Sequence, residues 1–474
     1  MTSLIQSRPR AAVKMVAAAV AAAVLAGCSY NIKPVDNPVR MPSAWDASIA
    51  PAATDSVSAQ WWKNFNSPVL NALIERGLQD NPTLIVAEER MKQAERNFAR
   101  SREDLFPDLS LSARTGRTRT GGNQQPERTS DSTSIGLSTS YTVDLFGAQA
   151  ARYRQQIASF IGTKYDTDLA RITMAANISR AYFNLLSIRS QVNVARENLR
   201  IAEDLLRIFE VRWREGVARE FDFTQQTTQV LQQRTQLIPL ENQMRQAETT
   251  LGLLLGVTPQ EFQIEGEPID QLVVPEIAPW VPSELLSRRP DMAGAELDLI
   301  SQQANTAAVR AALIPVTLTL NASGNQGSQE LFQLTDARTF SIGAALSIAE
   351  GIFNFKQRRT NVLNAESNEF IALVNYAQTL RQALADVDNT LATAFANQRS
   401  EETTRQTLAN AQRSLQLAEV EYREGAANLQ EVLDAQRSLF SAQDNLARAR
   451  LTRLNTAVNL YVALGGGWDG AVDF

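Results

Sequence analysis

Four stretches of the chain alternate apolar and polar residues with a period of two. Leu109, Leu111 and Ala113 alternate with Ser110, Ser112 and Arg114. Ile135, Leu137, Thr139, Tyr141, Val143 and Leu145 alternate with small polar residues and Gly136. Val316, Leu318, Leu320 and Ala322 do the same, as do Phe340, Ile342, Ala344, Leu346 and Ile348. This period predicts strands near 108–114, 133–146, 316–323 and 339–349, each with one apolar face. The segments 115–131 and 325–338 are rich in Gly, Gln and Ser and predict loops. Arg114, Arg117 and Arg119 at the first loop fit either lipid-headgroup phosphates or plain solvent. The strands suit a small soluble sheet or a membrane barrel, whose strands have this length and alternation. Four strands cannot close a barrel, and open edges do not survive in lipid. Either the sheet is soluble or several chains complete one barrel; three chains would give twelve strands.

Long helical patterns flank the strands. Between Gly147 and Gly216 there is no proline and one internal glycine, Gly162; between Gly351 and Gly425 there is neither. Helices are predicted over 148–215 and 354–424, each about 100 Å long at ~1.5 Å per residue. Leu373, Ala377, Leu380, Leu384, Val387, Leu391 and Ala394 follow coiled-coil spacing, and so do Leu169, Ile172, Ala176, Ser179, Phe183 and Leu186. Shorter helices over 219–254 and 427–463 return from the turns. Helices over 82–105 and 290–313 complete the return to the strands.

These pieces form an internal repeat. Pro82 recurs as Pro290, Ser134-Ile135-Gly136 as Ser341-Ile342-Gly343, and Val211-Arg212-Trp213-Arg214-Glu215-Gly216 as Val420-Glu421-Tyr422-Arg423-Glu424-Gly425. The offsets are 208, 207 and 209 residues. The organisation expected is a repeat over 68–257, a linker over 258–282, a second repeat over 283–465 and a tail over 466–474.

Composition narrows the chemistry. The 474 residues hold 46 basic and 51 acidic side chains, a net charge of −5, which points away from nucleic acid. With no histidine and one cysteine, intrachain disulfides, histidine bases and Ser-His-Asp triads are excluded, and zinc sites with them. No motif for a carboxylate active site stands out, so neither catalysis nor a metal or other bound cofactor is expected. Arg8, Arg10 and Lys14 precede a 13-residue apolar run from Met15 to Gly27, which reads as a signal peptide over 1–27. Leu25-Ala26-Gly27-Cys28 places the only cysteine at a lipobox cleavage position, so a covalent lipid is expected on Cys28. Residues 28–67 read as a lipid-anchored tether.

Several motifs carry a family resemblance. Trp61-Trp62-Lys63-Asn64-Phe65 followed by Pro68, Leu70, Leu73 and Ile74 is similar to an entry segment. Tyr422-Arg423-Glu424-Gly425 with Leu433-Asp434-Ala435-Gln436-Arg437-Ser438-Leu439 is the most specific match, and Leu464-Gly465-Gly466-Gly467-Trp468 resembles a terminal signature. Together they resemble the outer-membrane factors of the TolC superfamily, in its OprM/NodT-type lipoprotein branch. Ser67 stands where that branch often has aspartate. The resemblance implies an α plus transmembrane-β fold: a homotrimer with a twelve-stranded barrel in outer-membrane lipid and a helical barrel in the periplasm. It implies a periplasmic adaptor and an inner-membrane pump, of RND or MacB-like ABC type. It also implies a periplasmic gate at Asp434, Gln430 and Asn428, with Gln430 replacing an apolar ring residue. Adaptor contact is implied at Arg214, Glu215, Gly216, Arg423, Glu424 and Gly425. For Asp434, a salt-bridged surface carboxylate is the competing reading. Drug, metabolite or siderophore efflux, type I protein secretion, and a lipid-anchored periplasmic scaffold all remain open.

Overall fold

The computed structural model describes residues 39–45, 57–122, 125–258, 260, 262, 264, 266–277, 282–314, 316–329, 337–348, 355–424, 426–468 and 470. Cys28, the signal segment and Gly425 lie outside them. In chain order the main elements are α1 (Pro68–Asp80), α2 (Pro82–Glu103), β1 (Asp108–Gly122), β2 (Gln125–Val143), α3 (Ala148–Arg214), α4 (Glu220–Leu254), α5 (Pro290–Ala311), β3 (Val316–Ser328), β4 (Ala337–Ile348), α6 (Phe355–Arg423) and α7 (Leu429–Ala463). Helix starts follow local chemistry. Pro68, Pro82 and Pro290 occupy first helical positions, where no amide donor is needed. Ser67 accepts from the Leu70 amide at 3.0 Å, and Asp144 accepts from the Gln149 and Ala150 amides at 3.0 Å.

The chain forms two compact units. One contains residues 91–163 and 294–376, the other 38–90, 164–293 and 377–474. In the first unit the strands make one antiparallel sheet in the order β1-β2-β3-β4. Its register puts the apolar residues on one face: Leu111 opposes Leu137, Tyr141 opposes Leu320, and Ala322 opposes Ile342. Leu111 (72% exposed) and Ile342 (74%) are uncovered in the single chain. On the other face Ser110, Ser138, Ser323 and Ser341 lie in one row, bonded pairwise at 2.8 Å. The apolar face runs on β2 from Ile135 to Val143, about 27 Å at ~3.4 Å per residue, close to the lipid-facing band of a barrel.

Within the loops predicted over 115–131 and 325–338, the described residues 115–122, 125–131, 325–328 and 337–338 are strand instead. β1 continues to Gly122, β2 begins at Gln125 and β3 runs to Ser328. Cross-strand polar pairs hold this extension: Thr115 with Thr133 at 3.0 Å, Arg117 with Asp131 at 2.7 Å, and Arg119 with Glu127. Arg117 and Arg119 thus have carboxylate partners within the sheet. Below the strands, four helices are linked in series. Phe98 of α2 stacks on Tyr153 and Phe160 of α3 at 5.6 and 5.7 Å. Ala151 of α3 packs on Ala307 and Ala308 of α5. Arg310 of α5 pairs with Glu366 of α6 at 2.8 Å, and Thr306 donates to the Ala365 carbonyl at 3.2 Å.

The second unit holds the main core. The coiled-coil stripes are its seams: Ile172, Ala176, Ser179, Phe183 and Leu186 are buried on α3, and Leu380, Val387 and Leu391 on α6. Residues 58–61 and 461–467 close onto this core. Trp61 stacks on Tyr461 at 5.2 Å, the Gly466 amide donates to the Tyr461 carbonyl at 2.7 Å, and the Gly467 amide donates to Ser58 O at 3.2 Å. Gly465 has φ +77°, and a Cβ there would lie 1.9 Å from the Arg288 carbonyl oxygen, so no side chain fits. Ser67 also donates to Glu267, whose carboxylate accepts from Tyr182 Oη at 3.1 Å. Burial, then the Glu267 charge, pushes the Tyr182 phenol well above its ordinary range. An aspartate at position 67 would set a second carboxylate against Glu267. Glu401 is 1% exposed and meets Arg405, Arg450 and Arg453 at 2.8, 3.1 and 3.0 Å.

Candidate functional site

The candidate site lies in the second unit, at the turns that join the long helices to their returns. α3 ends because Gly216 adopts φ +73°, which lets the Val217 amide reach the Arg212 carbonyl at 2.8 Å and the Gly216 amide reach Trp213 O at 3.0 Å. The other turn repeats this closure, with the Ala426 amide on the Glu421 carbonyl at 2.8 Å. Trp213 stacks on Phe223 at 5.1 Å with rings 4° from parallel, clamping α3 to α4. Arg212 donates to Tyr422 Oη at 3.3 Å, linking the two turns.

The predicted tip residues divide by partner. Arg214 is paired with Glu210, and Arg423 Nε donates to the Glu419 carbonyl at 3.2 Å. Glu215 and Glu424 are exposed. Val211, Val217, Phe221 and Val420 add exposed apolar surface beside these charges. Arg219, before α4, chelates Asp222 at 2.9 and 3.1 Å, and this hydrogen bonding raises the guanidinium pKa.

Asn428 has a structural task of its own. It caps α7 by accepting from the Glu431 amide at 3.1 Å, and its amide donates to Glu431 Oε1 at 2.8 Å. Gln430 donates to Asp434 Oδ1 at 3.0 Å and accepts from Gln225 of α4 at 3.0 Å. Arg437 donates to the same Asp434 oxygen at 3.0 Å. Gln225, Gln430, Asp434 and Arg437 therefore form one exposed polar chain across α4 and α7. The ion pair of the surface reading is present, within a wider network. Sequence reasoning did not single out Gln225. The repeat held the signal, since Gln225 and Asp434 are 209 residues apart, the same offset as the two turns. Among the described residues there is no cluster of metal-ligating side chains, and no helix is long and apolar enough to cross a membrane.

Among the described residues the sheet has an uncovered apolar face and two open edges, as a subunit of an oligomeric outer-membrane channel would. The family model for outer membrane efflux proteins matches residues 73–257 and 281–466. The chain belongs to this family, whose members are efflux channels that form trimers and work with periplasmic adaptors and inner-membrane pumps. It is 35% identical over 454 residues to the pyoverdine export outer membrane protein OpmQ of Pseudomonas aeruginosa, covering 94% of this chain and 95% of that protein. It is 30% identical over 453 residues to the probable outer membrane lipoprotein SilC of Salmonella typhimurium, covering 94% and 97%. The solved outer-membrane channel OprN superposes with a TM-score of 0.81 at 25% identity, covering 92% of this chain and 100% of that one.

Proposed function

We propose that this channel is the exit duct of a siderophore or metabolite exporter, fed through a periplasmic adaptor by a MacB-like ABC pump or, as the second option, an RND pump. The duct carries out no reaction and needs no cofactor beyond a lipid on Cys28. The observation that carries the cargo class is the end-to-end likeness to a pyoverdine export protein. The open edges of β1 and β4 support a barrel closed by three copies, since a sheet in lipid has no free edge. The turns at Gly216 and Gly425 meet the adaptor. The Gln225–Gln430–Asp434–Arg437 chain, with Asn428 holding the start of α7, forms the periplasmic gate. The test is deletion of the gene under iron limitation, with siderophore measured in culture medium and periplasm. Retention in the periplasm, restored to the medium by the wild-type gene, is expected. Unchanged secretion, with no other channel substituting, would refute the cargo class.

A further inference from the structure

A cavity of about 1020 Å³ opens in the first unit between α2, α3, α5 and α6. Each of three helices faces it with residues at i, i+3, i+4 spacing, 97, 100 and 101 on α2, 149, 152 and 153 on α3, and 305, 308 and 309 on α5, continued by 156 on α3 and by 104 and 312 in the turns that follow α2 and α5. Arg358 and Asn361 of α6 complete the wall. Because the four helices are linked in series and all face this space, it lies on their concave side. In a ring of three such sets the concave side is the interior of the duct.

The α2 and α5 stripes are copies of one another at the 208-residue offset, and they have diverged. Asn97 is kept as Asn305. Arg100 becomes Ala308, Ser101 becomes Val309 and Asp104 becomes Ala312. The α2 side is charged and polar, and the α5 side, apart from Asn305, is small and apolar. Arg152 of α3 joins Arg100 of α2 on the charged side, so two guanidinium groups stand beside the single carboxylate of Asp104, while Arg358 lines the space from α6. Among the described residues neither Arg100 nor Arg152 is held in an ion pair. The space suits a drug-sized molecule rather than a bare ion. Guanidinium groups match carboxylates and sulfonates with paired hydrogen bonds, while the Ala308–Val309–Ala312 side and the Tyr153 ring accept an apolar body.

We propose that this cavity is a way-station for amphiphilic organic anions inside the duct, so that the channel favours anionic cargo. The proposal rests on the reading of the chain as an export duct. The test uses the full-length trimer in planar bilayers with 8-anilinonaphthalene-1-sulfonate as the anionic probe and ethidium as the cationic control. The sulfonate should interrupt the potassium chloride current in resolvable blockades, and ethidium should not. Arg100→Gln with Arg152→Gln should shorten the blockades at least tenfold, because two charge-assisted contacts are removed. Arg152→Lys, which keeps the charge and loses the paired geometry, should fall between. SDS-resistant trimers of normal open conductance show that the variants are assembled. Equal blockade by both probes, or blockade unchanged in the double variant, overturns the way-station while leaving the duct intact. Absence of any conducting pore, in the wild type and in the gate variant Asp434→Ala alike, overturns both.

Discussion

Replacing Glu401 with glutamine tests what holds the long hairpin of the second repeat to the segment that joins the repeats. Glu401 of α6 is 1% exposed, and its three arginine partners are unequal. Arg405 is 58% exposed, so its pair is screened by solvent and contributes at most about 1 kcal/mol. Arg450 and Arg453 of α7 are only 12% and 22% exposed, and Arg450 also donates to the Leu272 carbonyl. Glu401→Gln leaves these two guanidinium groups half-desolvated without a counter-charge. Removing one partner of such a cluster costs ~3–5 kcal/mol per chain. Denaturant unfolding of the purified protein in detergent, followed by far-ultraviolet circular dichroism, should show a loss in that range. Combining it with Arg453→Met should recover at least about 1.5 kcal/mol, since the pair is coupled. A loss below about 1 kcal/mol, or strictly additive effects, would show that Glu401 is solvated and that the cluster holds nothing together.

Further outcomes follow from the same geometry. Asp434→Ala removes the acceptor shared by Gln430 and Arg437, and should raise single-channel conductance and sensitivity of cells to vancomycin; unchanged values with normal trimers would leave Asp434 a surface carboxylate. Ser67→Asp should destabilise the folded chain by about 1–2 kcal/mol through repulsion with Glu267, and adding Glu267→Gln should reverse most of the loss. Cys28→Ser should abolish incorporation of labelled palmitate, and persistence of label would exclude lipidation at that residue. A cysteine at Thr120 should react with a membrane-impermeant maleimide on intact cells and one at Val217 should not; the opposite pattern would invert the topology.

Most of the architecture was legible because it rests on periodicity. The seams on α3 and α6 are the heptad positions of the sequence, and α3, α4, α6 and α7 end just before glycines. What failed was the outer part of the sheet. Thr115, Arg117 and Arg119 break the apolar alternation, so they read as loop, yet each has a partner on β2 that only the register reveals. The gate chain was half legible. Asp434 and Gln430 came from a motif, but Gln225 lies in the other hairpin, and its role depends on a contact between helices 205 residues apart. The Ser67–Glu267 contact was hidden for the same reason: Glu267 lies in an irregular segment with no period to follow. The arginine cavity was invisible because its α2 and α3 stripes carry polar residues, which amphipathic patterns assign to solvent.

The stacking of Trp61 on Tyr461 has a consequence for biogenesis. Tyr461, which stacks on Trp61, lies 400 residues further along the chain, and β2 likewise waits for β3, with Thr133 paired to Ser328. The second unit cannot complete its core until Tyr461 has been made, whereas the sheet of the first unit needs the chain only as far as β4. A chain truncated before Tyr461 leaves Trp61 uncovered, and the periplasm's proteases and chaperones can distinguish it from a finished one. The Trp61–Tyr461 pair thus makes closure of the second unit's core a sign that the chain has been extended through α7.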